Sequence, residues 1–448
     1  MTAAMSTLSQ PTIRFILSTF AERIAKPSLR AFLFAYLYVV IPKALNHIIV
    51  AIKRNDLADL PKRLATVLAR ALHPKKFPMF TAYIVAGTNL LEPIVFKIVQ
   101  RLALLKSRSS TLFISTLVSG FISAIITFPQ FQNHILGYGR YYSLDLTLLL
   151  TTRALDTLVS STLAHVVPSI LQSKGDALLF ILSSFLVMFS WFYKPESLPP
   201  SYRGWITAAA NMDDELIWAL KGLREGTLVY GEHGPLEDIL VPMAERYGQD
   251  PKRGSLIHNQ PIECEVVHAF TTKNCEVHAL WRFYRGFVFS LKVYGPLNAL
   301  MLLFPNKSKM STRIWRAFLS TCRSSCFLGT FISLYWYGVC LVRNRLFPKL
   351  FPNKPLVEWD ITWGPTVGAM LCGLSSFVET QGRRKELALF VAPRGLGTLV
   401  PTEPSEINLR IEAIVFSFSL AVLVAFSKKD PKSVRGIFGK GFQQVFKI

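Results

Sequence analysis

Apolar residues in this chain fall in runs about 20 residues long, which is the length a helix needs to cross roughly 30 Å of hydrocarbon at about 1.5 Å per residue. Ten such runs are predicted as membrane spans: 29–51, 79–103, 110–129, 143–170 and 176–193, then 284–304, 316–341, 363–380, 384–400 and 408–427. The ninth is interrupted by Pro393, Gly395 and Gly397, breaks tolerated where neighbouring helices cover the freed backbone groups. The pattern predicts an all-α, polytopic membrane protein.

Between the two sets of runs lies a polar linker, 207–282. Asp213-Asp-Glu-Leu-Ile-Trp-Ala-Leu-Lys-Gly-Leu-Arg224 opens with acids and closes with bases, as the helix dipole favours. A second helix is expected over 235–246, with Pro235 near its first turn and Gly248 past its end. Before the first run, segment 1–28 carries Ile13, Ile16, Leu17, Phe20 and Ile24 at helical spacing with Arg14, Arg23 and Lys26 among them. This reads as an amphipathic helix on the membrane surface. No apolar core follows a basic start, as a secretory signal would require. The tail 428–448 interleaves Lys428, Lys429, Lys432, Arg435, Lys440 and Lys447 with Ile437, Phe438, Phe442 and Phe446, a composition suited to lipid headgroups.

The two sets of runs resemble each other. Arg30-Ala-Phe-Leu-Phe is matched by Arg285-Gly-Phe-Val-Phe, and Leu146–Val159 by Leu387–Val400. Asp176-Ala-Leu-Leu-Phe is matched by Glu412-Ala-Ile-Val-Phe, and Arg203-Gly-Trp-Ile by Arg435-Gly-Ile-Phe. The matches keep the same order with a slowly shrinking offset, as loop deletions in one copy produce. Two tandem repeats are therefore expected, 29–206 and 283–427. Five spans per copy would set them in opposite orientations, the inverted plan common in transporters; a miscounted span would make them parallel.

Composition agrees. Charged residues make up 17% of the chain against 51% hydrophobic, where a soluble domain carries roughly 25% charged. The net charge of +22 comes from Lys and Arg flanking the apolar runs, as in Lys53-Arg54, Lys62-Arg63 and Lys75-Lys76. That placement favours anionic membrane lipids over nucleic acid as partners. Among the six cysteines, Cys322, Cys326, Cys340 and Cys372 lie inside apolar runs and read as small hydrophobes; the spacing gives no disulfide framework.

Candidate chemistry is sparse. Cys264, His268, Cys275 and His278 offer two thiolates and two imidazoles, a donor set that suits tetrahedral zinc; interface packing or thiol acylation accounts for them equally simply. Arg153 and Asp156 share a helix face inside an apolar run, and Arg394 occupies the place of Arg153 in the second copy. One Arg per copy suggests a site for an anionic group such as a fatty-acyl carboxylate. Neutralisation of Arg153 by Asp156, with Arg394 snorkelling to the interface, is the structural alternative. Glu92-Pro93 either lines a pathway or caps a kink. No P-loop, Gly-x-Ser-x-Gly or His-Glu-x-x-His motif is present, so neither an enzyme nor a resident cofactor is expected.

Cys264-Glu-Val-Val-His268, Asn274-Cys275 and Ser290-Leu-Lys-Val-Tyr294-Gly-Pro296-Leu together resemble the Cys/His segment and following span of the transmembrane protein 135 family. The resemblance continues through Val367-Gly-Ala-Met-Leu-Cys-Gly, Glu379 and Arg383-Arg384, and through Gly120-Phe-Ile-Ser, Arg153-Ala-Leu-Asp156 and Pro200-Ser-Tyr202. Thr272-Lys273-Asn274 stands where the family has His-Pro. The resemblance implies a multi-pass protein of peroxisomal or mitochondrial membranes, with a role in lipid and fatty-acid handling or in organelle dynamics. In the second case the linker 207–282 would recruit protein partners.

Overall fold

The computed structural model describes residues 18–55, 57–102, 107–137, 141–162, 169–234, 236–303, 308–430 and 432–446. Helices account for its regular structure, with no strand among the described residues. Outside residues 163–168 of the expected run 143–170, which lie outside the described residues, the apolar runs coincide in large part with helices. They are α1 (Lys26–Arg54), α3 (Phe77–Arg101), α4 (Arg108–Leu136), α5 (Tyr141–Thr162), α6 (Ser169–Tyr193), α11 (Cys275–Leu302), α12 (Met310–Cys340), α13 (Gly364–Cys372), α14 (Gln381–Gly397) and α15 (Glu406–Lys429). Shorter helices connect them: α2 (Leu60–Ala71), α7 (Pro200–Ala210), α8 (Asp214–Glu225), α9 (Val241–Arg246) and α10 (Cys264–Val267), with α16 (Gly436–Phe446) at the end.

Seven helical stretches among the described residues are long and apolar enough to cross a membrane: Ser18–Arg54, Phe77–Arg101, Arg108–Leu136, Lys174–Tyr193, Met310–Leu350, Trp359–Val378 and Glu406–Lys429. In α5, α11 and α14 charged residues dilute the apolar run. Asp145, Arg153 and Asp156 do so in α5, Arg282, Arg285 and Lys292 in α11, and Arg383 to Glu386 at the start of α14. The first of these stretches shows what the surface faces. Leu33, Phe34, Leu37, Ile41, Leu45 and Ile49 on α1 are all exposed. An apolar stripe of that length is a lipid-facing or interaction surface, not a solvated one.

Two expectations change. Residues 1–17 lie outside the described residues. From Ser18 the helix runs through a π-turn at Ala21–Ala25 into α1 as one 37-residue stretch, with no break at residue 28. Pro27 sits near the start of α1, where a missing N–H costs least. In the linker, α8 forms as expected, closed by Gly226 at φ +75°. The second helix is only six residues, Val241–Arg246, with Pro242 in its first turn. Pro235 lies outside the described residues.

The chain divides into two compact units, Met1–Val167 with Pro401–Ile448, and Pro168–Val400. In the first, α1 packs on α3, α3 on α4, and α15 on both α4 and α5. In the second, α11 packs on α12, α12 on α13, and α6 on both α13 and α14. The same packing order thus occurs twice. The boundaries differ from the tandem halves expected from sequence, since α6 belongs with the later helices and α15 with the earlier ones. Sequence similarity shows which segments correspond, not which neighbours they pack against.

Small residues set the helix spacing. A Cβ on Gly368 of α13 would lie 2.7 Å from the Tyr335 carbonyl oxygen of α12, and one on Gly338 would lie 2.8 Å from Gly368 Cα. Backbones approach this closely where at least one position lacks a side chain. Gly120 meets the Ala421 backbone in the first unit, at 3.3 Å from the place of a Cβ.

The linker is not a free arm. Leu216, Leu240, Met243, Leu256, Ile262 and Val266 are buried in one cluster with Tyr335, Trp336 and Val339 of α12. Hydrophobic burial therefore docks it on the end of a membrane helix.

Gly368→Val should destabilise the protein by about 1–3 kcal/mol through overpacking. Gly382→Ala, where a Cβ meets nothing within 4 Å, should be neutral or better. Thermal unfolding in detergent checks both.

Candidate functional site

In the second unit α6, α7, α12 and α14 surround a cavity of about 450 Å³. Helical spacing aims the residues there. Leu387, Phe390, Val391 and Arg394 share one face of α14, while Phe327, Leu328, Phe331 and Tyr335 share one face of α12. Phe180, Ser184 and Met188 come from α6, and Tyr202, Trp205 and Ile206 from α7. The walls are mainly aromatic and aliphatic.

Polar groups punctuate this lining. Arg394 lies with its guanidinium 4.0 Å from the Phe390 ring centre and 5.5 Å from that of Tyr202. Its Nη1 donates to the Phe390 carbonyl at 2.5 Å. No carboxylate pairs with it among the described residues. Burial pushes the Tyr202 phenol up to about 12, against the opposing pull of Arg394, so that hydroxyl remains a donor at neutral pH. Two further hydroxyls on lining residues, Ser184 Oγ and Tyr335 Oη, are buried without a hydrogen-bond partner among the described residues. Both oxygens are themselves enclosed, so the polar groups offered to the cavity are those of Arg394 and Tyr202.

The other residues singled out from sequence lie elsewhere. Arg153 is buried on α5 in the first unit, and Asp156 lies 3.7 Å from Arg435. Arg153 and Arg394 therefore belong to different units. Glu92 is engaged in an ion pair: Lys428 Nζ donates to its carboxylate at 2.9 Å and to Asn89 Oδ1 at 2.9 Å, while Thr116 Oγ1 donates as well. Three helices meet there, α3, α4 and α15, so Glu92 closes a contact between helices instead of facing open space. A carboxylate that sequence inspection passed over, Glu412, is buried in α15 and accepts hydrogen bonds from Gln132 Nε2 at 2.8 Å and Thr147 Oγ1 at 3.3 Å. Its only sequence signal was the match to Asp176.

The Cys/His segment is partly assembled. Cys264 opens α10, His268 closes it, and Cys275 is the first residue of α11. Asn274 caps α11 by accepting from the Glu276 and Val277 amides, which fixes where Cys275 points. Donor atoms of Cys264, His268 and Cys275 lie within 4.8 Å of one another, a set able to hold a metal ion. His278 stands outside that set. Its ring stacks on His268 at 4.0 Å, its Nε2 accepts from Arg282 Nε at 3.1 Å, and its Nδ1 faces Thr271 Oγ1 at 3.1 Å. Burial, His268 and Arg282 hold its pKa down to about 2, so the ring is neutral.

No family model, curated protein or solved structure matches this chain.

Breaking the Glu92–Lys428 pair from one side leaves a half-buried charge without its partner. Lys428→Met should destabilise the protein, and adding Glu92→Gln should recover part of the loss. A double-mutant cycle read by unfolding in detergent should give a coupling of about 1–3 kcal/mol.

Proposed function

We propose that this chain is a multi-pass protein of a peroxisomal or mitochondrial membrane that binds fatty-acyl chains and carries them in or across the bilayer. The observation that carries the reading is Arg394. It is a cation without a carboxylate partner among the described residues, set in the wall of an apolar cavity of about 450 Å³ beside Tyr202. An acyl tail suits the aromatic lining, and a carboxylate suits guanidinium, which grips two oxygens at once. The cavity falls within the roughly 300–1,000 Å³ usual for small-molecule sites.

Two further observations support this. The resemblance of the Cys/His segment and of Ser290–Leu297 to the transmembrane protein 135 family points to organelle membranes and lipid handling. The doubled packing order is compatible with two repeats of five helices each. Repeats of that kind place substrate sites on helices with broken or polar stretches, and α14 carries both Pro393 and Arg394. The role is binding and movement of lipid, without bond-making chemistry.

Liposomes holding the purified protein should take up a fluorescent fatty acid. Arg394→Gln should lower its affinity about tenfold, since a charge-assisted hydrogen bond contributes about 1.5–3 kcal/mol. Arg394→Lys should retain part of the binding. Unchanged binding and uptake in a folded Arg394→Gln protein would overturn the assignment.

A further inference from the structure

Cys340, far away in sequence, lies outside the trio whose donor atoms all stand within 4.8 Å of one another, but it reaches the same imidazole. Cys340 is the last residue of α12, buried to 1% exposure, and its Sγ lies 3.3 Å from His268 Nε2. Two ligands of one zinc, sulfur at about 2.3 Å and nitrogen at about 2.1 Å, stand about 3.6 Å apart at the tetrahedral angle. We propose that Cys264, His268, Cys275 and Cys340 bind one zinc ion as a closed Cys3His site that clasps the polar linker to the end of α12. This inference is independent of the fatty-acyl reading.

Four observations support the donor set. First, His268 Nδ1 lies 2.7 Å from the Thr272 carbonyl, so that nitrogen carries the proton and donates it there. Nε2 is left with its lone pair directed at sulfur. A backbone carbonyl fixing the distal ring nitrogen is the usual support of a zinc-bound imidazole. Second, the Asn344 side-chain amide donates to Cys264 Sγ, and Arg343 Nη1 lies 4.0 Å from the same sulfur. Three thiolates and one dication leave a single negative charge, which these donors offset. Third, His268, Cys275 and Cys340 are buried, which leaves no open coordination corner for a reacting water; the site is structural, not catalytic. Fourth, only Cys264 is half-buried, and it lines a cleft of about 390 Å³ through which an ion can enter.

Zinc is the metal this set selects, because three soft thiolates and one imidazole in a tetrahedron match it better than the oxygen-seeking cations. Binding releases the three thiol protons to solvent, and no electron moves. His278 is a wall of the site. It stacks on His268 but spends its own nitrogens on Arg282 and Thr271.

The test is metal content of the full-length protein purified in detergent with zinc in the growth medium. Mass-spectrometric elemental analysis should give about one zinc per chain. Cys340→Ser and Cys275→Ser should each lose most of it, whereas His278→Gln and the cavity variant Arg394→Gln should keep it. Because a cysteine variant can fail to fold, cobalt(II) is exchanged into the unmodified protein as a second readout. Thiolate-to-cobalt charge-transfer bands and intense tetrahedral d–d bands are expected. Three results would overturn the proposal: folded wild-type protein without stoichiometric zinc and without those bands, full zinc content in Cys340→Ser, or a Cys264–Cys275 disulfide in the unreduced protein.

Discussion

Hydrocarbon offers backbone amides and carbonyls no partners, and most of this architecture follows from that. Each segment that enters it must satisfy its own hydrogen bonds, so the chain is built from helices, and polar side chains within them must find partners or face a cavity. Glu92 meets Lys428 and Thr116, and Glu412 meets Gln132 and Thr147, each across a helix–helix contact. With lipid as apolar as leucine, burial of oily surface does little to hold such helices together. Close approach does more, which is why glycines sit at the crossing of α12 with α13.

Against that background the departures are informative. Arg394, Ser184 and Tyr335 share one cavity lining, yet Arg394 has no acid beside it and neither hydroxyl is bonded within the described residues. What sets this place apart is a cation without an acid partner, facing an apolar cavity.

The polar linker illustrates a different balance. Its charged residues are largely paired near the surface, with Arg246 held by Asp213 and Glu215, and Arg253 by Glu263 and Glu265, while Arg282 is buried and donates to the Ala210 and Asn211 carbonyls. Its apolar residues are consumed against α12. Beneath them Arg343 and Asp360 form a buried ion pair, and the Arg343 guanidinium also donates to the Ile262 carbonyl. A buried pair contributes little net stability, but it fixes register, and here it ties a linker carbonyl to the end of a membrane helix.

Hydrophobic run length by itself determined that the chain is helical and where its long helices lie, because span length is set by bilayer thickness and needs no knowledge of neighbours. The Cys/His segment was legible as far as Cys264, His268 and Cys275, which are close in sequence. Neighbour identity was not legible. Cys340 read as one more small hydrophobe because nothing local distinguishes it. Lys428 read as a headgroup anchor, although it reaches Glu92, and Tyr335 and Ser184 read as ordinary helix positions. Only tertiary structure decided that α6 packs with later helices and α15 with earlier ones, that Arg153 and Arg394 belong to separate units, and that His278 turns its nitrogens elsewhere. Those outcomes depend on contacts between residues far apart along the chain, which periodicity and spacing do not encode.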